Sequence, residues 1–162
     1  MKNLSEIKIV DFKDEYAKAL SNIITRNLLE INIRDYSKEE MENVAKELTP
    51  EFLINQAKHR KIYVALEEET VIGTAGIQES WAKKEGEYWI LTVFVLPESH
   101  RKGVGRLLIR KIEQYAKEID AKQLIIPSSI TSCEFYEKLG YRYKNDIKVL
   151  DKDKHYIMEK NL

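Results

Sequence analysis

Between Tyr88 and Leu96 only Thr92 is neither aliphatic nor aromatic, and Pro97 ends the run. An extended segment apolar on both sides can rest only where both sides are covered. This run is therefore expected as a central strand of a sheet with helices on its faces. Beyond the proline the hydrophobic period changes. Val104, Leu107, Leu108, Ile112, Tyr115, Ala116 and Ile119 form one helical stripe, with Arg106, Arg110, Lys111, Glu113, Lys117 and Glu118 largely off it. A buried strand leading into an amphipathic helix points to an α/β chain.

The flanking segments extend that reading. Ile7, Ile9 and Phe12 alternate with polar residues, as in a half-buried strand. Tyr16, Ala19, Leu20, Ile23, Ile24 and Leu28 follow at helical spacing, and 27–36 is the least regular stretch. Ser37, with Glu40 at the capping-box position, marks a helix start. That helix is expected to stop near Thr49-Pro50, with a short one running on to about Lys58. Runs 61–66 and 71–77, joined by Glu67-Glu68-Glu69, predict an antiparallel hairpin. Segment 122–126 reads as a short buried strand, and a helix carrying Phe135, Tyr136 and Leu139 is stopped by Gly140. Residues 141–150 and 155–158 are expected as a final pair of strands joined by the charged turn 151–154. The order is roughly β-α-α-β-β-β-α-β-α-β-β, a mixed sheet in one domain spanning 1–162.

Composition narrows the function. Lys+Arg and Asp+Glu are 27 each, so the basic excess usual in a nucleic-acid binder is missing. One cysteine excludes a disulfide framework and a cysteine-only zinc site, and His59, His100 and His155 show no ligand spacing, so no metal is expected. No apolar stretch approaches the roughly 20 residues needed to span a bilayer. Glu6, Lys8 and Asp11 interrupt the N-terminus before it reaches signal-peptide length. A cytoplasmic protein is expected, with no nucleic-acid or membrane partner.

The chemistry concentrates between the central strand and the patterned helix, in His100-Arg101-Lys102-Gly103-Val104-Gly105-Arg106. Backbone N–H groups at a helix start lack intrahelical partners and sit at the positive end of its dipole. Glycines let an anion approach them, and Arg101, Lys102 and Arg106 add charge, a combination suited to a diphosphate. A P-loop is excluded because Arg106-Leu107 follows Gly105 where Lys-Ser/Thr is required. The dinucleotide fingerprint lacks its third glycine, since Leu108 stands there, and Asp120 precedes the next strand instead of ending it. A ligand-free tight turn is the remaining alternative, and the clustered cations weigh against it. On the phosphate reading, Gly105→Val is expected to abolish binding by covering the diphosphate amides.

The stretch Val93-Phe-Val-Leu-Pro through Arg101-Lys-Gly-Val-Gly-Arg-Leu-Leu108 resembles the acetyl-CoA signature of the GCN5-related N-acetyltransferases, with its core Arg/Gln-x-x-Gly-x-Gly/Ala. Downstream, Ser128 to Tyr141 is similar to that family's Asn-x-x-Ala-x-x-x-Tyr-Glu-Lys-Leu-Gly-Phe. With the matching order of elements, the resemblance covers essentially the whole chain. It implies the family's mixed, mostly antiparallel sheet flanked by helices, and acetyl-CoA as cosubstrate. Val93, Phe94 and Val95 would offer backbone groups to the pantetheine arm in a splay between the fourth and fifth strands. Arg101, Lys102, Gly103, Val104, Gly105 and Arg106 would wrap the pyrophosphate. Ser129 stands where many relatives have a cofactor-contacting Asn, and His100 stands where the signature has Arg or Gln. Tyr136 matches the residue that often protonates the departing thiolate, a role suited to a phenol neutral at pH 7; packing helix to sheet is its other reading.

The implied activity is transfer of acetyl to a primary amine, of a metabolite or of a peptide or protein, in a ternary complex. A non-catalytic acyl-CoA-binding sensor or interaction module is the alternative. Trp89 and Leu91 occupy strand positions where relatives often carry the base. Glu79, Glu87, Glu30 and Asp35 are the nearby carboxylates, deprotonation through water is equally compatible, and the base is unassigned. Cys133 reads as a small packing residue. Trp81, Trp89, Tyr36 and Tyr88 could line an acceptor pocket or pack the sheet. A homodimer is compatible with the chain.

Overall fold

The computed structural model describes residues 6–162; residues 1–5 of the segment read for a signal peptide lie outside them. Seven strands form one sheet: β1 Ile7–Asp11, β2 Lys61–Glu67, β3 Thr70–Glu79, β4 Glu87–Val95, β5 Gln123–Ser128, β6 Arg142–Tyr143 and β7 Tyr156–Asn161. The helices are α1 Ala17–Glu30, α2 Lys38–Glu47, α3 Pro50–Gln56, α4 Val104–Glu118 and α5 Cys133–Lys138. The sheet order is β1-β2-β3-β4-β5-β7-β6, antiparallel except where β4 meets β5. This is the expected mixed, mostly antiparallel sheet flanked by helices, with the three helical segments read from 16–58 all formed between β1 and β2.

Local chemistry explains the boundaries. The Ser37 hydroxyl accepts from Glu40 N–H and starts α2, and the Thr49 hydroxyl does the same for α3, where Pro50 enters at the first turn. α1 carries on through Glu30, so the irregular stretch is shorter than expected. Gly140, at φ +96, supplies the left-handed residue that ends α5.

The sheet is covered on both faces by separate apolar clusters. Tyr63 and Ala65 of β2 face Leu108, Ile109 and Ile112 of α4, while Val64 and Leu66 point the other way to Leu20, Ile24 and Leu28 of α1. Burying each aliphatic side chain contributes about 1.5–3 kcal/mol, so both clusters hold the sheet firmly. On α4, Ile109 is fully buried with Leu108, Ile112 and Ala116, while Leu107 of the expected stripe is only partly covered.

Two expectations are corrected. Residues 141–150 do not form a full strand: β6 has two residues, and Asn145 (φ 57) and Asp146 (φ 59) turn the chain left-handed directly after it. Asn and Asp tolerate that conformation where most residues do not, so pairing ends there. The last strand instead runs to Asn161 and sits between β5 and β6. The apolar β4 run is also not sealed on both faces; of its residues only Glu87 and Ile90 are buried, the rest half-buried. Its C-terminal half borders an open cleft. Among the described residues no helix is long and apolar enough to cross a membrane.

Candidate active site

The cleft exists because two parallel strands part company. β4 and β5 pair only across Glu87–Trp89 and Gln123–Ile125, after which β4 continues to Val95 and β5 to Ser128 without bonding each other. A bulge drives them apart. Between the pairs Thr74↔Phe94 and Gly76↔Leu91, β4 uses one residue more than β3, and Thr92 takes φ 57. A left-handed β-branched residue costs roughly 1–2 kcal/mol. Arg60 braces it, donating from Nη1 to Thr92 Oγ1 at 3.0 Å and from Nε to Gln78 Oε1 at 2.9 Å. At the end of β4 the Val95 carbonyl accepts from Asn27 Nδ2 and from His100 Nε2, each at 2.8 Å. His100 thus ties the phosphate loop back to the strand, and buried Asn27 fastens α1 to the same atom.

The opening has a volume of about 760 Å³. Its upper wall is the start of α4. Arg101 (φ 64) and Gly103 (φ +83) are both left-handed, and a side chain on Gly103 would meet nothing within 4 Å, so the turn is open to the cleft. Unlike α2 and α3, α4 has no capping side chain and no acid in its first turn. Its first helical bond runs from Leu107 N–H to Gly103 O at 3.1 Å, which leaves the Val104, Gly105 and Arg106 amides to an outside acceptor. Among the described residues no ion pair takes up the exposed Arg101, Lys102 or Arg106. This pocket of amides and cations fits a diphosphate.

The lining takes in most of the sequence-derived residues: Val93, Phe94, Val95, Arg101, Gly103, Val104, Gly105, Arg106, Ser129 and Tyr136. Lys102 is exposed at the crest of the turn and outside the wall. Gly105 serves differently from the expectation. A Cβ there would lie 3.0 Å from Cζ of Phe135, so the glycine permits α4 to approach α5, and a branched side chain would strike that ring. Ser129 Oγ lies 2.6 Å from Ser132 Oγ. Tyr136 is buried with its ring edge-on to Phe135 and Tyr141. Burial, and after it the nearby Cys133, push its phenol well above the ordinary tyrosine range, so it is protonated at neutral pH. Cys133 is buried in the α4-side core, its Sγ 3.4 Å from Ser128 Oγ, as a packing residue should be.

The acidic candidates separate. Glu79 is exposed and outside the cleft. Burial pushes the Glu87 carboxyl up, but hydrogen bonds from Ser80 and Trp89 and the Lys144 and Lys84 charges together outweigh it and hold the group ionised below the cleft. Glu30 is fastened by Arg26, whose hydrogen bond lowers its pKa. Only Asp35 lines the cleft, and it accepts from Thr131 N–H at 3.1 Å and Thr131 Oγ1 at 2.8 Å. Sequence reasoning missed His155, which joins the lining with Asp151 Oδ1 4.0 Å from its Nδ1 and the Tyr36 ring edge-on to it. It also missed Asn27, Gln56 and Arg60. All four lie far in sequence from the signature and carry no motif. Trp81 lines the mouth, stacked edge-on against Trp89, whereas Tyr36 and Tyr88 pack away from it. Among the described residues no three His, Cys, Asp or Glu side chains gather as a metal-holding group.

Residues 25–141 match the sequence profile of the acetyltransferase (GNAT) family. The chain belongs to that family. It is similar to an uncharacterized N-acetyltransferase, YjcF, of Bacillus subtilis (strain 168), 26% identical over 133 residues covering 80% of this chain and 90% of the relative. In fold it is similar to the PaiA N-acetyltransferase of Thermoplasma acidophilum, solved in complex with coenzyme A (TM-score 0.82, 19% identity, 96% of this chain and 99% of that one). A GCN5-related N-acetyltransferase structure from Rhodopseudomonas palustris is comparable (TM-score 0.81, 22% identity, 100% of this chain and 99% of that one).

Proposed function

We propose that residues 1–162 act as one cytoplasmic enzyme domain that transfers the acetyl group of acetyl-CoA to a primary amine within a ternary complex. The observation that carries this reading is the uncapped, cation-ringed start of α4 at the head of a cleft that runs down the β4–β5 splay to Tyr136. The cosubstrate supplies the activated acetyl group. Gly103, Val104, Gly105 and Arg106 hold its pyrophosphate through main-chain N–H groups, Arg101 and Arg106 with Lys102 at the rim supply charge, and Ser129 with the backbone of Val93, Phe94 and Val95 lines the arm. Because Asn27 and His100 already occupy the Val95 carbonyl and Phe94 pairs with Thr74 of β3, Val93 and the Val95 N–H carry the main-chain contacts.

Two residues move protons. Tyr136 gives its proton to the thiolate as the carbon–sulfur bond breaks, which a buried neutral phenol can do. His155 takes the proton that the attacking nitrogen must lose. Of the lining side chains able to accept it, Asp35 takes two hydrogen bonds from Thr131 and His100 is anchored to the Val95 carbonyl, whereas His155 stands beside the Asp151 carboxylate.

Calorimetry with coenzyme A, followed by thiol release against a panel of amines, tests the reading. Tyr136→Phe is expected to keep coenzyme A affinity and to lose about 100-fold or more in kcat, the usual contribution of a positioned acid. Tight binding with no turnover on any amine would favour the non-catalytic module, and no saturable binding by folded protein would reject both.

A further inference from the structure

The α3 side of the cleft carries a cation that the phosphate site does not need. Arg60 lines the opening at the level of the β4 bulge, its stem lying over Gly76, where a Cβ would come within 3.1 Å of Arg60 Cδ. Its partners among the described residues are the neutral Gln78 and Thr92, and no carboxylate lies within ion-pair distance. A guanidinium drawn out of water is ordinarily matched by an anion. Burial alone lowers the pKa of this one, and nothing opposes it.

One turn earlier, Gln56 lines the same wall, and its Oε1 is buried with no donor. The two residues are neighbours in the turn that ends α3, the Arg60 main-chain N–H donating to the Gln56 main-chain carbonyl at 3.1 Å. Phe52 and Trp81 add apolar surface at the mouth. The one carboxylate of the lining, Asp35, accepts from Thr131 through Oδ2.

We infer that the acceptor is an amine that also carries a carboxylate, which Arg60 grips with its planar fork. A polyamine, with no carboxylate, offers Arg60 nothing to hold. The inference rests on the acetyltransfer reading and names the substrate class of that site.

Matched pairs test it: α-amino acids against their α-carboxamides, and glutamate and aspartate against glutamine and asparagine, with spermidine as the polycation. Each is offered with acetyl-CoA, and thiol release is followed. The free acid of at least one pair is expected to exceed its amide by about tenfold or more in kcat/KM, mostly through KM, as a charge-assisted fork requires. In Arg60→Gln the acid-to-amide ratio collapses toward one, and in Arg60→Lys, which keeps charge without the fork, it is intermediate. Coenzyme A calorimetry on both variants verifies that the bulge and the rest of the cleft are intact. The ratio is internal to each variant, so a general loss of activity does not imitate the result. Equal use of acid and amide by the unmodified protein, a preference for spermidine, or an unchanged ratio in Arg60→Gln overturns the inference while leaving acetyltransfer standing. The same pairs are titrated into coenzyme A-loaded protein. Acids binding over amides with no turnover would fail the transfer reading alone, and no binding of either together with no turnover would fail both.

Discussion

His155 shows what a single side chain gains from tertiary placement. In the sequence it stands in a charged turn with no partner of note, yet the fold sets it on the cleft wall beside Asp151, whose Oδ1 also accepts the His155 N–H at 2.8 Å and fixes the turn. Lys154 next to it is held by Glu40 and by its own carbonyl's bond from Tyr36. A base must be unprotonated to work, so the rate is expected to rise with pH on the acidic limb of the profile. His155→Gln should flatten that limb and lower kcat by about 100-fold, within the range for a general base, with coenzyme A affinity retained. An acidic limb that persists in the variant would assign the proton to water or another group. The place of Tyr136 in the cleft, by contrast, was legible from its motif, which follows the glycine turn by one helix and one strand.

At the scale of elements, the junction of α4 and α5 decides what Gly105 is for. Two helices can approach closely only where one offers no side chain, and Phe135 occupies the space a Cβ would need. Gly105→Val is therefore expected to cost about 1–3 kcal/mol of stability through overpacking. Coenzyme A binding should weaken only because the first turn of α4 tilts. Denaturant unfolding of the single variants and of Gly105→Val with Phe135→Leu checks it: the double variant should recover much of the loss, a coupling that two independent sites would not show. The element boundaries set by local chemistry were readable, as with Ser37, Thr49-Pro50 and Gly140. The collapse of the 141–150 strand was not, because alternating Tyr141, Tyr143, Ile147 and Val149 look strand-like until Asn145 and Asp146 turn left-handed.

Across the molecule, both faces of the sheet bury tyrosines. Burial is the leading cause that raises Tyr36 and Tyr63 to about 12, and it also raises Tyr88, Tyr136 and Tyr141. In the unfolded chain a tyrosine loses its proton near pH 10. Between about pH 10 and 12 the native state holds protons that the unfolded state has shed, so stability falls as pH rises through that window and is unaffected below it. Thermal melts from pH 8 to 12 should stay level to about 10 and then drop steeply; a level profile to pH 12 would place these hydroxyls in water. What the amino-acid order determined alone was whatever depends on near neighbours: the hydrophobic periods of β4 and α4, the caps, and the glycine turn that starts α4. Tertiary structure decided the rest, the bulge that parts β4 from β5 and the meeting of Asn27, Gln56, Arg60 and His155 around the gap. Those residues meet through packing across the sheet, and contacts between distant segments leave no periodic trace along the chain.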